Sequence, residues 1–266
     1  MPQSRPRIIG LPYDLRSSFL RGAADAPPVI RAALRSSAGN QWSEDLHDLG
    51  EEGVLTDAGD LDLSSASDAG ERIEAGIAAV LADHGRPIAL GGDHAVTYHV
   101  MRSVYVAHGP CTVLHIDAHP DLYEEFEGDR FSHACPFARV MEERLASRLV
   151  QVGIRAMTAH QRAQADRFGV EVIDMRAWQS GARPSITGSV YLSIDLDGID
   201  PAHTPGVSHR EPGGLTVRDV IGLVQRIEGT LLGADIVEFN PSQDVGGLTA
   251  HVAAKLVKEV AARMLA

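Results

Sequence analysis

Two cysteines in 266 residues leave no room for a disulfide framework. Cys111 sits inside an apolar run and Cys135 shortly after a histidine, so both read as small buried side chains in a reducing compartment. No run approaches the ~18 consecutive apolar residues of a membrane helix. No Pro-rich or Gly/Ser-rich tract is long enough to be a linker, so residues 1–266 read as a single domain. Met1 to Arg7 is polar and leads straight into an apolar segment, a start without an export signal, and the expected compartment is the cytoplasm. Basic residues are scarce, 24 Lys and Arg against 36 Asp and Glu, for a net charge of −12. Phosphate binding is led by Lys and Arg, so no nucleic-acid partner is expected, and an acidic field favours a small cationic ligand.

What is present is alternation. Short β-branched or apolar runs occur at Arg7 to Gly10, Pro87 to Leu90, Cys111 to Asp117, Leu149 to Val152, Val170 to Ile173, Ser189 to Asp195 and Ala234 to Phe239. Between them, Ala69 to Ala82, Val96 to Ala107, Cys135 to Leu145, Val217 to Ile227 and Thr249 to Leu265 place apolar residues three and four apart, as amphipathic helices do. The pattern predicts an α/β fold: a three-layer αβα sandwich around a mostly parallel sheet of about eight strands. Ser36 to Gly70 breaks it, being rich in Ser, Asp, Glu and Gly with only Val54 and Leu55 as an apolar centre, and is expected to be a surface excursion with solvated acids.

The chemistry-bearing residues collect where apolar runs end. Leu114-His115-Ile116 leads into Asp117-Ala118-His119-Pro120-Asp121. An extended chain would point Asp117, His119 and Asp121 to one side, at the carboxyl end of a strand where open α/β sheets hold ligands. A second run ends in Asp195-Leu196-Asp197, again two carboxylates with one orientation, and a third ends in Gly91-Gly92-Asp93-His94, where the glycines allow a close turn. Four converging carboxylates repel one another and take up protons unless a multivalent cation neutralises them. His94 and the imidazole of His119 would complete such a metal site.

These segments together resemble the ureohydrolase family of arginases, agmatinases and their relatives. The resemblance runs from near Ser18 to the C-terminus and rests on GGDH ending at His94, DAHPD from Asp117, SIDLDGIDP from Ser193 and DIVEFNP from Asp235. Ala95 stands where the family normally has Ser. FEGDRFSHA before Cys135, QVGIR ending at Arg155, PGVSHREPGGL ending at Leu215 and TAHVAAKLVKE from Thr249 look most like plant-type arginases. The resemblance implies two divalent ions, Mn2+ in the family generally, with Zn, Co, Ni or Fe left open by ligand type, one held by His94, Asp117, Asp121 and Asp195 and the other by His119, Asp117, Asp195 and Asp197. It implies hydrolysis of a linear guanidino compound, agmatine to putrescine or arginine to ornithine, with release of urea. It assigns Glu238 to the guanidinium, His133 to proton transfer or substrate contact, and Asp121 to passing a proton to the leaving nitrogen. It also implies a homo-oligomer, trimer or hexamer.

Among the remaining polar residues, Asp93 and Asp200 are expected to orient ligands, and His99 and His115 to pack in the core. His203 and His209 lie in the loop after the second aspartate cluster, near enough to the cleft to line it but expected to serve the loop, and His47, His84, His108 and His160 are expected to lie on the surface. Ala156-Met157-Thr158 lacks the acidic residue that animal-type arginases use for an α-ammonium, and Asp129 is a candidate contact for a cationic tail. Other guanidino or formimino substrates (guanidinobutyrate, guanidinopropionate, guanidine, formiminoglutamate), a single-metal deacetylase and a non-catalytic metal-binding subunit are the competing readings.

Overall fold

A computed structural model describes residues 5–266. The first four residues, part of the Met1 to Arg7 segment, lie outside the described residues. Eight strands form one sheet: β1 (Arg5–Gly10), β2 (Thr56–Asp60), β3 (Gly85–Leu90), β4 (Cys111–Ile116), β5 (Ala146–Ile154), β6 (Glu171–Asp174), β7 (Ser189–Asp195) and β8 (Thr230–Val237). Their order is β2-β1-β3-β8-β7-β4-β5-β6, and every neighbouring pair is parallel. The eight helices are α1 (Ala26–Leu34), α2 (Ala69–Ala82), α3 (Val96–His108), α4 (Pro136–Glu142), α5 (Ala159–Phe168), α6 (Met175–Gln179), α7 (Val217–Gln225) and α8 (Leu248–Leu265).

The strands are apolar on both faces because helices cover both. Successive residues therefore enter different cores. Ile8, Leu114 and Leu192 pack with α1, α6, α7 and α8, while their neighbours Ile9, Val113 and Tyr191 pack with α2, α3, α4 and α5. Helix α7 shows why periodicity finds such elements. Thr216 caps its first turn in a reciprocal capping box with Asp219, and Val220, Ile221, Leu223 and Val224 form its buried stripe. Helix α5 shows the converse: AHQRAQADRF buries only Gln161, Gln164 and Ala165, so no apolar stripe announces it.

The excursion from Ser36 to Gly70 is corrected in two respects. It carries β2, an edge strand whose sequence TDAGD is almost wholly exposed and has none of the usual strand composition. Its acids are also not merely solvated. Asp57 accepts two hydrogen bonds from Arg31 of α1, at 2.8 and 2.9 Å, and Asp60 pairs with the same guanidinium. Glu44 holds Arg218 of α7 in a fork of 2.7 and 2.8 Å and lies 3.3 Å from Lys255. Tertiary ion pairs, not local propensity, bind this segment to the helices.

The turn after β3 needs a residue without a side chain. A β-carbon on Gly92 would lie 1.6 Å from the carbonyl oxygen of Tyr13, a backbone atom that cannot yield. The same turn receives the Glu238 N–H on the Gly92 carbonyl at 2.9 Å, so it ties β3 to the end of β8. Gly92→Ala is expected to lower unfolding free energy by about 3 kcal/mol or more. A urea melt followed by circular dichroism measures it; a midpoint equal to that of the unaltered protein would contradict the packing described.

Candidate metal centre

The central four strands, β3, β8, β7 and β4, deliver their carboxyl ends to one place. Leu90 is level with Ile236 across β3 and β8, Val237 with Asp195 across β8 and β7, and Ile194 with Ile116 across β7 and β4. His94, Glu238 and Asp117 therefore follow the ends of β3, β8 and β4, and Asp195 closes β7 between them. All are buried.

Asp117, His119 and Asp121 do converge, but not as a continued strand. β4 ends at Ile116, and Asp121 takes a left-handed backbone, φ 49°. Glu238 is also left-handed, φ 61°. Such conformations are costly for residues with side chains and concentrate where a site dictates the direction of a group.

His94 Nδ1 lies 3.0 Å from an oxygen of Asp121 and 3.2 Å from oxygens of both Asp117 and Asp195, yet none of these is a hydrogen-bond partner of that buried nitrogen. Neighbouring ligands on a divalent ion with bonds of ~2.1 Å stand about 3 Å apart, so these spacings suit the edges of a coordination shell. The far side of the ring agrees. Ser193 Oγ donates to Asp235 Oδ1 at 2.6 Å and so accepts from His94 Nε2 at 2.9 Å, which leaves the Nδ1 lone pair free for a cation. Asp235 is fixed in turn by Tyr191 at 2.6 Å and Thr97 at 2.9 Å. Beside this group, His119 Nδ1 lies 3.1 Å from Asp197 and 3.5 Å from the other oxygen of Asp117. All six expected metal ligands thus meet in two adjoining clusters that share Asp117.

Without cations the centre strains its own charges. Burial, then the neighbouring Asp197 and Asp117, drives the Asp195 carboxyl far above the carboxylate range, and burial lifts Asp197 to about 6 despite His119. Burial opposes charge on His94 and His119, but the surrounding carboxylates outweigh it and raise both well above an ordinary imidazole. These shifts are of the kind that a multivalent cation at this place would relieve.

Glu238 lies at the inner wall of a cavity of about 200 Å3. Its Oε1 accepts from the His94 backbone N–H at 2.9 Å and from His133 Nδ1 at 3.0 Å. Burial opposes the charge on His133, but Glu238 more than compensates and raises its pKa to about 9. Ser18 Oγ is 2.9 Å from His133 Nε2. Ser18, Tyr123, Phe126, Ala156, Gln161 and His209 complete the wall, and no Lys or Arg lines it. A larger hollow of about 430 Å3, bordered by Tyr13, Arg16 and His99, holds none of these metal-ligand donors.

Several expectations are revised. Asp93 spends its carboxylate on the backbone of Arg16 and Ala95, and Asp200 on Ala202, Gly213 and Gly214, so both shape loops rather than orient ligand side chains. Asp129 is committed to Arg16 at 2.6 Å and does not line the cavity. His209 does line it, 5.2 Å from the His133 ring and 6.0 Å from that of His119. His209 follows the second aspartate pair in the PGVSHREPGGL segment, close enough in the chain to reach the cleft, whereas Ser18 arrives on a distant loop with no local signal. Ser193 and Asp235 had one, since each sits inside a buried strand run where an unpaired polar group is costly.

The Arginase family pattern matches residues 5–262. The chain belongs to the arginase family. It is 45% identical to "Arginase 1, mitochondrial" of Arabidopsis thaliana over 275 aligned positions, covering 97% of this chain and 80% of the relative. It is 31% identical to "Agmatinase, mitochondrial" of Gallus gallus, over 95% and 79%. The solved structure "Arginase from Medicago truncatula" superposes with a TM-score of 0.95 at 41% identity, over 98% of this chain and 88% of that one. Arginase-family architecture is thus what the eight-stranded parallel sheet embodies. Two of these names place the relatives in mitochondria, so the relatives lend the cytoplasmic expectation no support. Among the described residues, no helix is long and apolar enough to cross a membrane.

A cation held by Asp195, Asp197, His94 and His119 would have to displace protons from them, since burial and neighbouring charges raise all four folded-state pKa values. Groups with raised values hold their protons more firmly as pH falls, so a cation competes better as pH rises through them. The increase in melting temperature on adding Mn2+ to chelator-stripped protein is expected to be larger at about pH 7.5 than at about pH 5.5. Equal increments at the two pH values would contradict this account of the cluster.

Proposed function

We propose that the protein hydrolyses a linear guanidino compound to urea and an amine, with two divalent cations, Mn2+ first among them, held by His94, Asp117, Asp121 and Asp195 on one side and by His119, Asp117, Asp195 and Asp197 on the other. The observation that carries the reading is the meeting of two imidazoles and four carboxylates at adjacent strand ends, with His119, Asp121, Asp195 and Asp197 lining the cavity that also presents Glu238 and with His94 and Asp117 buried behind them. Bound there, two divalent ions supply a water whose pKa is lowered toward neutrality.

The chain's own residues do the rest. Glu238 Oε1 is occupied by His94 and His133, while Oε2 has no hydrogen-bond partner among the described residues and is left to accept from the guanidinium. Because the backbone at Glu238 is left-handed and its N–H is bound by Gly92, the carboxylate has little freedom to turn away. Orientation matters here, since a resonance-stabilised guanidinium carbon reacts only when held rigidly before its nucleophile. His133, whose pKa Glu238 raises to about 9, lies beside that carboxylate and is the group suited to protonate the departing amine. Asp121, at the cavity wall, is the group that accepts the proton released by the attacking water and passes it on.

Arginine, giving ornithine, is the substrate to which the arginase relatives point. Agmatine is a second reading, favoured by a cavity wall with no Lys or Arg to meet an α-carboxylate, whose unpaired burial would be costly. A urea-release assay of the Mn2+-loaded protein against arginine, agmatine, guanidinobutyrate, guanidinopropionate and guanidine decides among them, and silence across the panel would sink the urea-forming reading. Glu238→Gln is expected to lower kcat about 10^3-fold with bound metal unchanged, because it removes the charged acceptor for the guanidinium and no metal ligand. Near-normal turnover in that variant, with metal content measured in parallel, would remove Glu238 from the reaction.

A further inference from the structure

His115 is fully buried and lies against Asp117, within reach of the same cluster as His94, so it is a candidate ligand by position alone. Its hydrogen bonds decide otherwise. Gln151 is level with His115 across β5 and β4, and one nitrogen of its amide lies 2.6 Å from the carbonyl oxygen of Pro120 and 3.1 Å from His115 Nδ1. A carbonyl oxygen only accepts, so the Gln151 atom facing Pro120 is the NH2 group. The opposite amide orientation would set oxygen against oxygen. With an amide donor facing it, His115 Nδ1 is the acceptor and the ring proton sits on Nε2, 2.7 Å from Asp117 Oδ2. Neither ring nitrogen has a lone pair left for a cation.

We infer that Gln151 and His115 are positioning residues which, through this ordered pair of hydrogen bonds, hold Asp117 Oδ2 and set the cation affinity of the His94 side of the centre. The inference rests on the two-metal reading above. Burial leaves no water to take over either bond, since Gln151, His115 and Asp117 are each 0% exposed. The Phe137 ring packs 3.9 Å from the His115 ring, centroid to centroid, and restrains its plane. Gln151 Oε1 is buried without a partner, a cost that the two bonds of its nitrogen offset.

The two oxygens of Asp117 are held by different groups. Oδ2, the oxygen bonded to His115, lies 3.2 Å from His94 Nδ1. Oδ1 accepts from the His119 backbone N–H at 2.6 Å and faces the His119 side. Loss of the His115 bond therefore bears on one cation and leaves the anchor of the other in place. General loosening of the core would weaken both.

The test is a Mn2+ titration of chelator-stripped full-length protein, resolving two binding steps, with circular dichroism to verify folding. His115→Phe keeps an aromatic ring and deletes the donor. It is expected to weaken one step by about 10- to 100-fold and leave the other unchanged. Gln151→Met, which removes the preceding link, should weaken the same step. His115→Gln, which restores an N–H donor near the Nε2 position, should recover most of the loss. In the unaltered protein, nitrogen-15 spectra should show His115 as the neutral Nε2–H form. Equal weakening of both steps, no weakening, a His115→Gln variant as impaired as His115→Phe, or the Nδ1–H form would overturn the inference. Failure of the unaltered protein to bind Mn2+ at all would overturn the metal reading together with it, a result distinct from loss confined to one step.

Discussion

Mutual repulsion among buried carboxylates is the constraint on which this structure turns. Asp117, Asp121, Asp195 and Asp197 come together with little exposure to water, in surroundings where like charges cannot be relieved by solvent. Their oxygens are arranged around imidazole nitrogens at distances suited to ligands of a shared cation. The surrounding bonds oppose any rearrangement. Ser193 and Asp235 turn His94, Asp197 accepts from Ala118, and Asp195 accepts from the backbone of Asp197. The protein maintains an arrangement that is electrostatically unfavourable alone and favourable once multivalent cations enter it.

The sheet makes this possible by separating support from chemistry. Four central strands, covered on both faces, form a largely apolar base that presents the candidate ligands and Glu238 at its carboxyl end. A parallel sheet directs all its carboxyl ends the same way, so residues far apart in the chain arrive at one level without a long loop reaching across. Packing around the strands keeps that level uniform. Irregular backbone is confined to the last residues, where Asp121 and Glu238 take left-handed conformations to aim their carboxylates.

Much of this was legible in order of residues. Apolar runs ending in Asp117, Asp195 and the Gly91-Gly92 turn marked the strands and their polar ends together, because a buried strand tolerates a charge within it only where partners compensate it, as Ser193, Tyr191 and Thr97 do for Asp235. The stripes of α2, α3, α7 and α8 were visible for the related reason that each helix must bury one face. Edge strand β2 and helix α5 were not visible. The first is held by Arg31 from a helix about 25 residues earlier, and the second buries glutamines instead of an apolar stripe.

The sequence by itself determined which residue types would meet and the charge problem they would create, since periodicity and motif order already place the six candidate ligands at strand ends. Only the tertiary structure decided the roles of the residues around them. His115 became a support for Asp117 because Gln151 from the next strand occupies its other nitrogen. His209 and Ser18 became cavity walls because two distant loops fold over the strand ends. Asp129 and Asp93, equally acidic in the sequence, were drawn off by Arg16 and neighbouring backbone. A side chain's chemistry is written in its residue type, but its hydrogen-bond partners come from chain segments brought near by packing, and those partners settle which atom of the group remains free to act.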